Sequence, residues 1–555
     1  MVRHVKRKTV VADFETTTDP EDCRVWGFGV HEVGTPAETV LIGNSIDSFI
    51  EYISGFNSVC YFHNLKFDSM FIIYWLLTHD YLCVTSRKVP AGCFGTLISD
   101  MGKFYTVTVS WENGNKTEFR DSLKKLPMPV RDIAKTFNLP VLKGELDYSA
   151  NRAVGHVITD DEREYIVNDV LIVSLALQVV LDAGMKKLTV GSDSMHEYKT
   201  IIGEKLFGRL FPTLNPVIDA DIRAAYRGGF TYAAERFRGK RLGAGIVFDV
   251  NSLYPAVMYD CELPYGEPTI FQGAPEEIAG KPLQIFSVTF TAKLKPNHVP
   301  CIQVKGTSMF TETEYVTEIS EPTALWVTSV DWDLYSRQYD IDVQQWHGGY
   351  AFAAARGMFD AYIDKWTAVK ENSVGGERAL AKLHLNSLYG KFGSNPSVTS
   401  KFPELVDDTV KLLRGADETR APVYTALAAF VTAYARNLTI SAAQDNYEVF
   451  AYADTDSLHL ITDTVPAGLE IHETRRGAWA LEYHFTEALY MRAKAYLTLK
   501  PDGTYKNAIA GLPVGVSREL TFADAYDGNV IWGKLVPKSV PGGVVLVDVG
   551  YKLKM

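Results

Sequence analysis

The sequence predicts a multidomain α/β protein, and three observations support this. At 555 residues the chain is too long for one hydrophobic core, so three or more domains or subdomains are expected. Hydrophobic residues make up 46% of the chain and charged residues 22%, which is ordinary globular composition. Strand-like and helix-like segments are mixed up to about residue 190, which predicts an α/β first domain.

Composition also limits the classes of function. The longest apolar stretches, Met70–Leu77 and Val170–Leu181, are shorter than the roughly 18–20 residues of a membrane-spanning helix, so no membrane partner is expected. Six cysteines without a CxxC pair argue against a disulfide framework or a zinc site and favour a reducing cytoplasm. The net charge of −11 disfavours non-specific DNA binding, but it does not exclude a basic channel.

Three segments of the first domain have clear patterns. Residues 8–13 are a predicted buried strand. Residues 103–109 alternate like one strand of a hairpin, with Glu112–Asn115 as its turn. Residues 159–183 begin with Thr159 and two aspartates and continue as an apolar pattern, which predicts a helix with an acidic first turn.

The pattern changes after the glycine-rich break at Tyr226–Phe230. The strand "GIVFDV" follows, and then a proline-spaced β-rich region runs to about residue 350. Met358–Asn372 and Glu377–Tyr389 both have helical patterns, and their short connection predicts an antiparallel pair. A predicted helix over "AYARNLTISAAQD" precedes a hairpin with "DTD" at its tip.

The motif "ADFET" places two acids on one face of the first strand. Asp13 and Glu15 are two residues apart, so both side chains point the same way. Carboxylates so close repel each other unless a cation lies between them, and Mg²⁺ prefers oxygen ligands. The alternative is an exposed strand end with two solvated acids.

Two further pairs strengthen the metal hypothesis. Asn64 and Asp68, and Tyr165 and Asp169, have the spacing of one helical face. Both aspartates lie beside apolar residues, where an unpaired acid is costly. Four acids and a phenol are the groups needed for two-metal phosphodiester hydrolysis.

A second set of acids occurs far along the chain. Asp249 ends a strand, and Asn251 or Ser252 is expected to cap the turn after it. Asp454 and Asp456 flank the tip of the predicted hairpin, although a plain polar turn would have the same residues. Asp249 and Asp456 together can hold two metal ions that bridge a triphosphate and a 3′-hydroxyl.

Cationic partners for a triphosphate occur on the predicted helix pair. Lys382, Asn386 and Tyr389 form one stripe of the second helix, and Lys370 lies on the first. Lysine and asparagine suit phosphates, and tyrosine offers a flat face to a base. The alternative is a solvated polar face.

The motifs resemble those of family B DNA polymerases. "DVNSLYP", "KLHLNSLYGKFG" and "YADTDS" are similar to that family's motifs A, B and C, and "DFET", "NLKFD" and "YIVND" to its three 3′–5′ exonuclease motifs, all in order. "YRGGF", "KKLP", "LKGELDY", "GSDS", "TAYAR", "KAY" and "VPGGVVLVD" resemble the protein-primed, phi29 phage branch. The resemblance covers essentially the whole chain.

The resemblance implies roles in polymerisation. Asp249 and Asp456 would bind two Mg²⁺ ions, for which Mn²⁺ can substitute, with the Val250 carbonyl as a ligand and Asp454 close by. Tyr254 would stack under the deoxyribose and exclude a 2′-hydroxyl. The remaining implied contacts are Lys370, Lys382, Asn386 and Tyr389 to the dNTP, and Tyr226, Gly228, Gly229, Thr432, Arg436, Lys494 and Tyr496 to DNA.

It also implies roles in the exonuclease. The implied metal ligands or their supports are Asp13, Glu15, Asp68, Asp169 and Glu145, the last at a position where the family has aspartate. Tyr165 and Lys143 would assist the attack on the phosphodiester. The implied contacts to the frayed single strand are His63, Asn64, Phe67, Ser122, Leu123 and Tyr148.

The fold implied by the resemblance is an RNase H-like 3′–5′ exonuclease domain followed by a right-hand polymerase domain with two insertions. The expected ranges are 1–190 for the exonuclease, 191–260 and 427–511 for the palm, 261–357 and 393–426 for the insertions, 358–392 for the fingers and 512–555 for the thumb. The first insertion would seat a terminal protein, and the second would close a ring around the template.

The implied partners are template-primer duplex, single-stranded DNA, dNTPs and the terminal protein. The implied oligomeric state is a monomer or a heterodimer with the terminal protein. The implied compartment is the cytoplasm of a phage's host. Three hypotheses follow: a protein-primed replicative polymerase with proofreading, a family B polymerase that uses only nucleic-acid primers, and a catalytically inactive DNA-binding or packaging protein. The first insertion disfavours the second hypothesis, and intact acids in every motif disfavour the third.

Overall fold

The first domain is built on one large sheet whose central strand carries Asp13 and Glu15. The computed structural model describes residues 7–86, 88–148, 150–304 and 315–554. The first strands are β1 (Lys8–Thr16), β2 (Val25–Glu32), β3 (Leu41–Gly43), β4 (Ser58–Phe62), β5 (Leu82–Cys83), β6 (Cys93–Ser99), β7 (Phe104–Ser110) and β8 (Lys116–Asp121). Their order is β6-β7-β8-β4-β1-β2-β3, with β5 beside β6. β1 is paired on both sides, parallel to β4 and antiparallel to β2.

Four helices pack on this sheet: α1 (Ile46–Ser54), α2 (Leu65–Thr78), α3 (Val130–Thr136) and α4 (Asp160–Asp182). A capping box starts α4, because Glu162 N donates to Thr159 Oγ1 and Thr159 N donates to the Glu162 carboxylate. This confirms the predicted helix with an acidic first turn. Within the described chain, α4 is the one helix long and apolar enough to cross a membrane, but most of it is buried and it packs against β1 and β2. We therefore assign it as a core helix.

Two glycines on β2 let α4 approach the sheet closely. A Cβ on Gly29 would lie 2.8 Å from Ile166 Cγ2 and from Val170 Cγ2, and one on Gly27 would lie 3.2 Å from Ile166 Cδ1. Side chains on this part of β2 would force the helix outward. The close approach keeps the polar residues of α4 next to the acids of β1.

The next region contains α5 (Val190–Ile202), α6 (Glu204–Leu210), α7 (Pro216–Ala225), β9 (Thr231–Ala233), β10 (Arg241–Leu242), β11 (Gly245–Val250) and α8 (Leu253–Asp260). A second sheet follows, with β12 (Leu263–Phe271), β13 (Leu283–Leu294), β14 (Glu318–Thr328), α9 (Ser329–Gln338) and β15 (Tyr339–Ala355). Its antiparallel order is β12-β15-β13-β14, in agreement with the predicted β-rich region. Residues 305–314 of the predicted first insertion lie outside the described residues.

The predicted helix pair is present as α10 (Asp360–Asn372) and α11 (Gly375–Phe392), which pack against each other across Ser373 and Val374. The hairpin β16 (Ser397–Val406) and β17 (Thr409–Thr419) follows. It extends the first domain's sheet, because Ser400 and Lys401 pair antiparallel with Ser99 and Ile98 of β6. The sequence patterns did not predict this long-range pairing.

The last part of the chain completes the sheet around β11. Its elements are α12 (Thr425–Asp445), β18 (Phe450–Asp454), β19 (Ser457–Leu460), β20 (Trp479–Phe485), β21 (Glu487–Arg492), β22 (Ala495–Leu499), β23 (Tyr505–Ile509), α13 (Val514–Glu519), β24 (Val530–Val540) and β25 (Gly543–Lys552). One sheet has the order β20-β11-β19-β18-β9, a second β10-β21-β22-β23, and β24 pairs with β25. α12 begins inside the range predicted for the second insertion, and the seven ranges themselves stay predictions.

Three regions that are distant in sequence meet at helix α2. Val410 of β17 and Val544 of β25 belong to the same buried cluster as Phe71 of α2. Tyr74 Oη donates to Asp408 Oδ1 at 3.1 Å, in the turn between β16 and β17. The first domain, the β16–β17 hairpin and the C-terminal hairpin are therefore in mutual contact.

We expect Gly29→Ala to destabilise the first domain by about 1–3 kcal/mol, because its Cβ would meet two branched side chains of α4. Thermal unfolding measures this. Gly208→Ala is the matched control: a Cβ there meets nothing within 4 Å, so we expect no loss. Equal melting temperatures for the two variants would contradict the close packing of α4.

Candidate active sites

The first candidate site lies where β1 and α4 meet. Asp13, Glu15 and Asp169 each offer a carboxylate oxygen, and these atoms lie within 4.8 Å of one another. Tyr165 is on the same helix as Asp169, as its spacing predicted. The acids line a cleft of about 580 Å³. Sequence spacing alone therefore identified the two elements that form this cluster.

The electrostatics of the cluster fit a divalent cation. Burial and the nearby Asp169 raise the pKa of Asp13 to about 7. Burial and the neighbouring acids also raise the pKa of Glu15. Lys143 forms an ion pair with Asp169 Oδ2, but Asp169 Oδ1 is buried without a hydrogen-bond partner among the described residues. Closely spaced oxygens with an unsatisfied buried atom are a suitable donor set for Mg²⁺ or Mn²⁺.

Asp68 supports this cluster from α2. It is 3% exposed, and burial together with Asp13 raises its pKa, but it is outside the three-acid group. The expected helical face shared by Asn64 and Asp68 is wrong, because Asn64 precedes the helix in a left-handed conformation with φ of 73°. The Asp121 carboxylate accepts from Asn64 N and Leu65 N, and so fixes the start of α2. Asp121 was not predicted.

The residues predicted to hold a single strand divide into two groups. His63, Asn64, Phe67 and Tyr148 line the cleft. Ser122 is fully buried, donates to the Phe62 carbonyl and lies 3.0 Å from His63 Nδ1. It therefore supports His63 from behind, and Leu123 follows it outside the residues that line the cleft. Glu145 is exposed and is not part of the three-acid cluster.

The C-terminal hairpin forms one wall of this cleft, which sequence patterns did not indicate. Leu535, Pro537, Val545 and Leu546 line it together with the acids. Leu535 and Leu546 are 54% and 44% exposed. No local pattern in a terminal hairpin identifies a partner more than three hundred residues away.

The second candidate site lies at the end of β11. Asp249 pairs with Ser457 across the sheet, and Val250 N donates to the Asp456 carbonyl at 2.8 Å. This pairing places Asp249 beside the tip of the β18–β19 hairpin, as predicted. Burial, Asp456 and Glu482 raise the pKa of Asp249 to about 7. Burial also raises the pKa of Asp456.

Surrounding elements hold the hairpin tip in place. Thr455 has φ of 64°, its N–H donates to the Phe230 carbonyl at 2.6 Å, and its carbonyl accepts from Thr439 Oγ1 at 2.8 Å. A Cβ on Gly229 would lie 2.7 Å from Thr455 Oγ1. Gly229 is therefore required for close packing under the tip. A Cβ on Gly228 would meet nothing within 4 Å.

Two further carboxylates near this site are paired with lysines. Asp454 accepts from Lys494 Nζ at 2.9 Å and from Thr231 Oγ1 at 2.8 Å. Glu482 on β20 forms an ion pair with Lys506. Glu482 was not predicted from the sequence, although it lies in a strand that pairs directly with β11.

The predicted nucleotide-binding residues face the same region. Tyr254 and Tyr389 stack with their ring centroids 4.1 Å apart. Lys370 Nζ donates to Ser252 Oγ at 3.1 Å, and burial and Lys382 lower the pKa of Lys370. Lys370 therefore reaches the turn that follows Asp249.

Some polar residues near motif A have other roles than those predicted. Ser252 does not cap α8 with its side chain. The Asn251 amide instead donates to the carbonyls of His472 and Glu473. Lys382 and Asn386 are exposed on α11, so their predicted contacts with the nucleotide stay predictions.

Two predicted DNA contacts are buried in this structure. Arg436 is 2% exposed, forms an ion pair with Asp331 at 2.8 Å and donates to the carbonyls of Arg227 and Gly228. Thr432 is 1% exposed and donates to carbonyls of its own helix. In this structure both residues therefore support the loop and helix around them rather than present a free surface.

The remaining predicted DNA contacts are Tyr226, Lys494 and Tyr496. Tyr226 is half-buried and lies over Gly393, where a Cβ would meet its ring at 2.7 Å. Lys494 is exposed apart from its ion pair, and Tyr496 is half-buried in an aromatic cluster with Tyr452 and Tyr490. These residues keep a partly accessible surface next to the second site.

Two acids at one strand end, a lysine that reaches the turn beside them and a separate three-acid cleft fit a nucleotidyl-transferring polymerase with an attached nuclease. A family described as "DNA polymerase type B, organellar and viral" matches residues 53–160 and 96–467. The DNA polymerases of Bacillus phage Nf and Bacillus phage phi29 are each 41% identical, over 99% and 100% of this chain respectively and 100% of each relative.

Solved structures of phi29 DNA polymerase agree. The ternary complex with primer-template DNA and incoming nucleotide substrates matches with a TM-score of 0.93 at 41% identity, covering 99% of this chain and 100% of that one. The complex with single-stranded DNA also has a TM-score of 0.93, at 40% identity and the same coverage. The chain therefore belongs to the type B DNA polymerases, in the protein-primed phi29-type branch.

The pKa of Asp13 predicts how stability depends on pH. In the metal-free folded protein Asp13 keeps its proton up to about pH 7, whereas an unfolded aspartate loses it near pH 4, so stability falls as the pH rises through this window. Asp13→Asn removes this loss. We expect the variant to melt a few degrees higher than the wild type near pH 8 in EDTA. Each kcal/mol of unfolding free energy corresponds to about 2–4 °C in melting temperature.

Added Mn²⁺ or Mg²⁺ should raise the melting temperature of the wild type more than that of Asp13→Asn, because the variant lacks a ligand at the first site and keeps only the second site intact. Glu164→Gln, which removes an exposed acid on α4, should behave as the wild type does in both conditions. A metal response that Asp13→Asn retains in full would show that the cation binds elsewhere.

Proposed function

We propose that this enzyme replicates a linear double-stranded phage genome in the cytoplasm of a bacterial host, starting from a hydroxyl group of a terminal protein. The observation that carries the proposal is the meeting of Asp249 and Asp456 at one strand end, opposite Lys370 and the Tyr254–Tyr389 stack. Template-primer duplex and dNTPs are the proposed ligands of this site.

In polymerisation, two Mg²⁺ ions would lower the barrier by stabilising charge on the triphosphate and activating the 3′-hydroxyl. Asp249, Asp456 and the Val250 carbonyl would hold them. Lys370 and Lys382 would neutralise the triphosphate. Lys370 is suited to this role because burial and a neighbouring cation already disfavour its charged form, and an arriving phosphate would reverse that cost.

In proofreading, Asp13, Glu15 and Asp169 would hold the cations of the exonuclease site. Tyr165 would orient the attacking water, and Lys143 would fix Asp169. The cleft between this cluster and the C-terminal hairpin is the proposed seat of a frayed 3′ end.

The contact between the β16–β17 hairpin, the C-terminal hairpin and α2 supports a closed passage for the template. We propose that this passage gives processive synthesis with strand displacement. The β12–β15 sheet is the proposed seat of the terminal protein.

Extension of a primed circular single strand, with Mg²⁺ and dNTPs and no accessory protein, tests the proposal. Products many times the circle length are expected. Asp456→Asn should reduce synthesis by at least about a hundredfold and leave single-strand degradation intact, because it removes only a polymerase ligand. Asp13→Ala combined with Asp169→Ala should abolish single-strand degradation and leave synthesis intact.

Each failure has a separate meaning. Products that stop at the first duplex would remove the closed passage but keep the polymerase. Synthesis by a folded Asp456→Asn enzyme would overturn the assignment of the second site. Initiation with a terminal protein is tested by covalent transfer of a labelled nucleotide to that protein.

Tyr254 is the proposed barrier to ribonucleotides. We expect Tyr254→Val to reduce the preference for dNTP over rNTP by tenfold or more, because the steric clash with a 2′-hydroxyl is lost. Steady-state kcat/KM for matched dNTP and rNTP pairs measures this. Tyr259→Phe is a control on the same helix, and an unchanged preference in Tyr254→Val would refute the steric role.

A further inference from the structure

The loop between α3 and α4 carries two groups of the exonuclease site without regular structure of its own. Lys143 reaches Asp169, and Tyr148 Oη lies 2.9 Å from Tyr165 Oη. Residues 141–148 and 150–159 are in neither helix nor strand, and Tyr148 is 51% exposed. A site group on such a loop needs support from elsewhere to keep its geometry.

Arg152 supplies that support from inside the loop. It is 6% exposed, and its guanidinium lies 4.1 Å from the centre of the Trp26 ring. Its nitrogens donate to the carbonyls of Asp147 at 2.9 Å and Ala150 at 3.3 Å. These two carbonyls flank Tyr148 in the chain. The planar guanidinium therefore holds the backbone on both sides of that tyrosine.

The same guanidinium is anchored to the rigid part of the site. Arg152 Nε donates to Glu162 Oε1 at 2.8 Å, and Glu162 Oε2 lies 2.7 Å from His156 Nε2. Glu162 is 8% exposed and lies in the first turn of α4, the helix that carries Tyr165 and Asp169. One buried arginine thus connects the loop to the helix that holds the acids.

We infer that Arg152 is a positioning residue of the exonuclease, which holds Tyr148 over the three-acid cluster through the Glu162 anchor. The inference rests on the proposed exonuclease function. It assigns a function to a buried arginine that has no hydrogen bond or ion pair with Asp13, Glu15 or Asp169 among the described residues. Local sequence patterns do not distinguish this arginine from one at the surface.

Arg152→Met and Arg152→Lys test it, with degradation of a single-stranded oligonucleotide and primer extension measured on the same preparations. We expect roughly a tenfold or greater fall in exonuclease kcat/KM for both variants, since small misplacements of site groups have effects of this order. Primer extension should stay within about twofold. Arg163→Met, an exposed arginine on α4, is the matched control and should leave both activities unchanged.

A double-mutant cycle with Tyr148→Ala separates positioning from general destabilisation. If Arg152 acts through Tyr148, its substitution should raise the KM for the oligonucleotide far less in the Tyr148→Ala background than in the wild type. Hydrogen exchange should speed up in residues 143–158 and stay unchanged in the second half of α4.

Unchanged exonuclease kinetics in Arg152→Met, or effects that add fully to those of Tyr148→Ala, would overturn this inference alone. An equal loss of primer extension would also overturn it, because that result indicates a folding defect. Absence of single-strand degradation by the wild type would instead remove the exonuclease assignment, and this inference with it.

Discussion

The repulsion between carboxylates that the fold holds together is the constraint on which the rest of the structure depends. Neither cluster is stable in isolation, because closely spaced buried acids disfavour their own ionisation. The surrounding core must therefore offset that cost. At the first site it does so through β1, paired on both sides, and through α4, packed closely over Gly29. At the second, β11 pairs with both β19 and β20.

The same constraint explains why distant parts of the chain converge. A cleft needs walls as well as acids to have a defined shape. Helix α2 and the C-terminal hairpin supply them at the first site. The C-terminal hairpin packs on α2 next to β17. The junction of α2, β17 and the C-terminal hairpin therefore determines both the shape of the cleft and the contact between these three regions. We expect changes at this junction to affect both activities together.

Sequence spacing predicted the parts of the sites that are local in the chain. Asp13 with Glu15 and Tyr165 with Asp169 share a face because a strand and a helix have fixed periods. Arg436, Ser122 and Glu482 show the limit. A polar residue on a helix or strand has the same local pattern whether a partner covers it or solvent does, and its partner lies far away in sequence. The pairing of β16 with β6 could not be predicted for the same reason.

At both sites, lysines form ion pairs with some of the carboxylates and leave others unpaired, and the sequence did not predict this arrangement. At the first, Lys143 pairs with Asp169, while Asp13 and Glu15 have no ion-pair partner among the described residues. At the second, Lys494 pairs with Asp454 and Lys506 with Glu482, while Asp249 and Asp456 have none within the described ranges. Lysines thus neutralise the outer carboxylates. They leave Asp13, Glu15 and the supporting Asp68 without an ion-pair partner at the first site, and Asp249 and Asp456 at the second, within the part of the chain that the structure describes. These unpaired carboxylates give each site negative charge, which favours the binding of divalent cations.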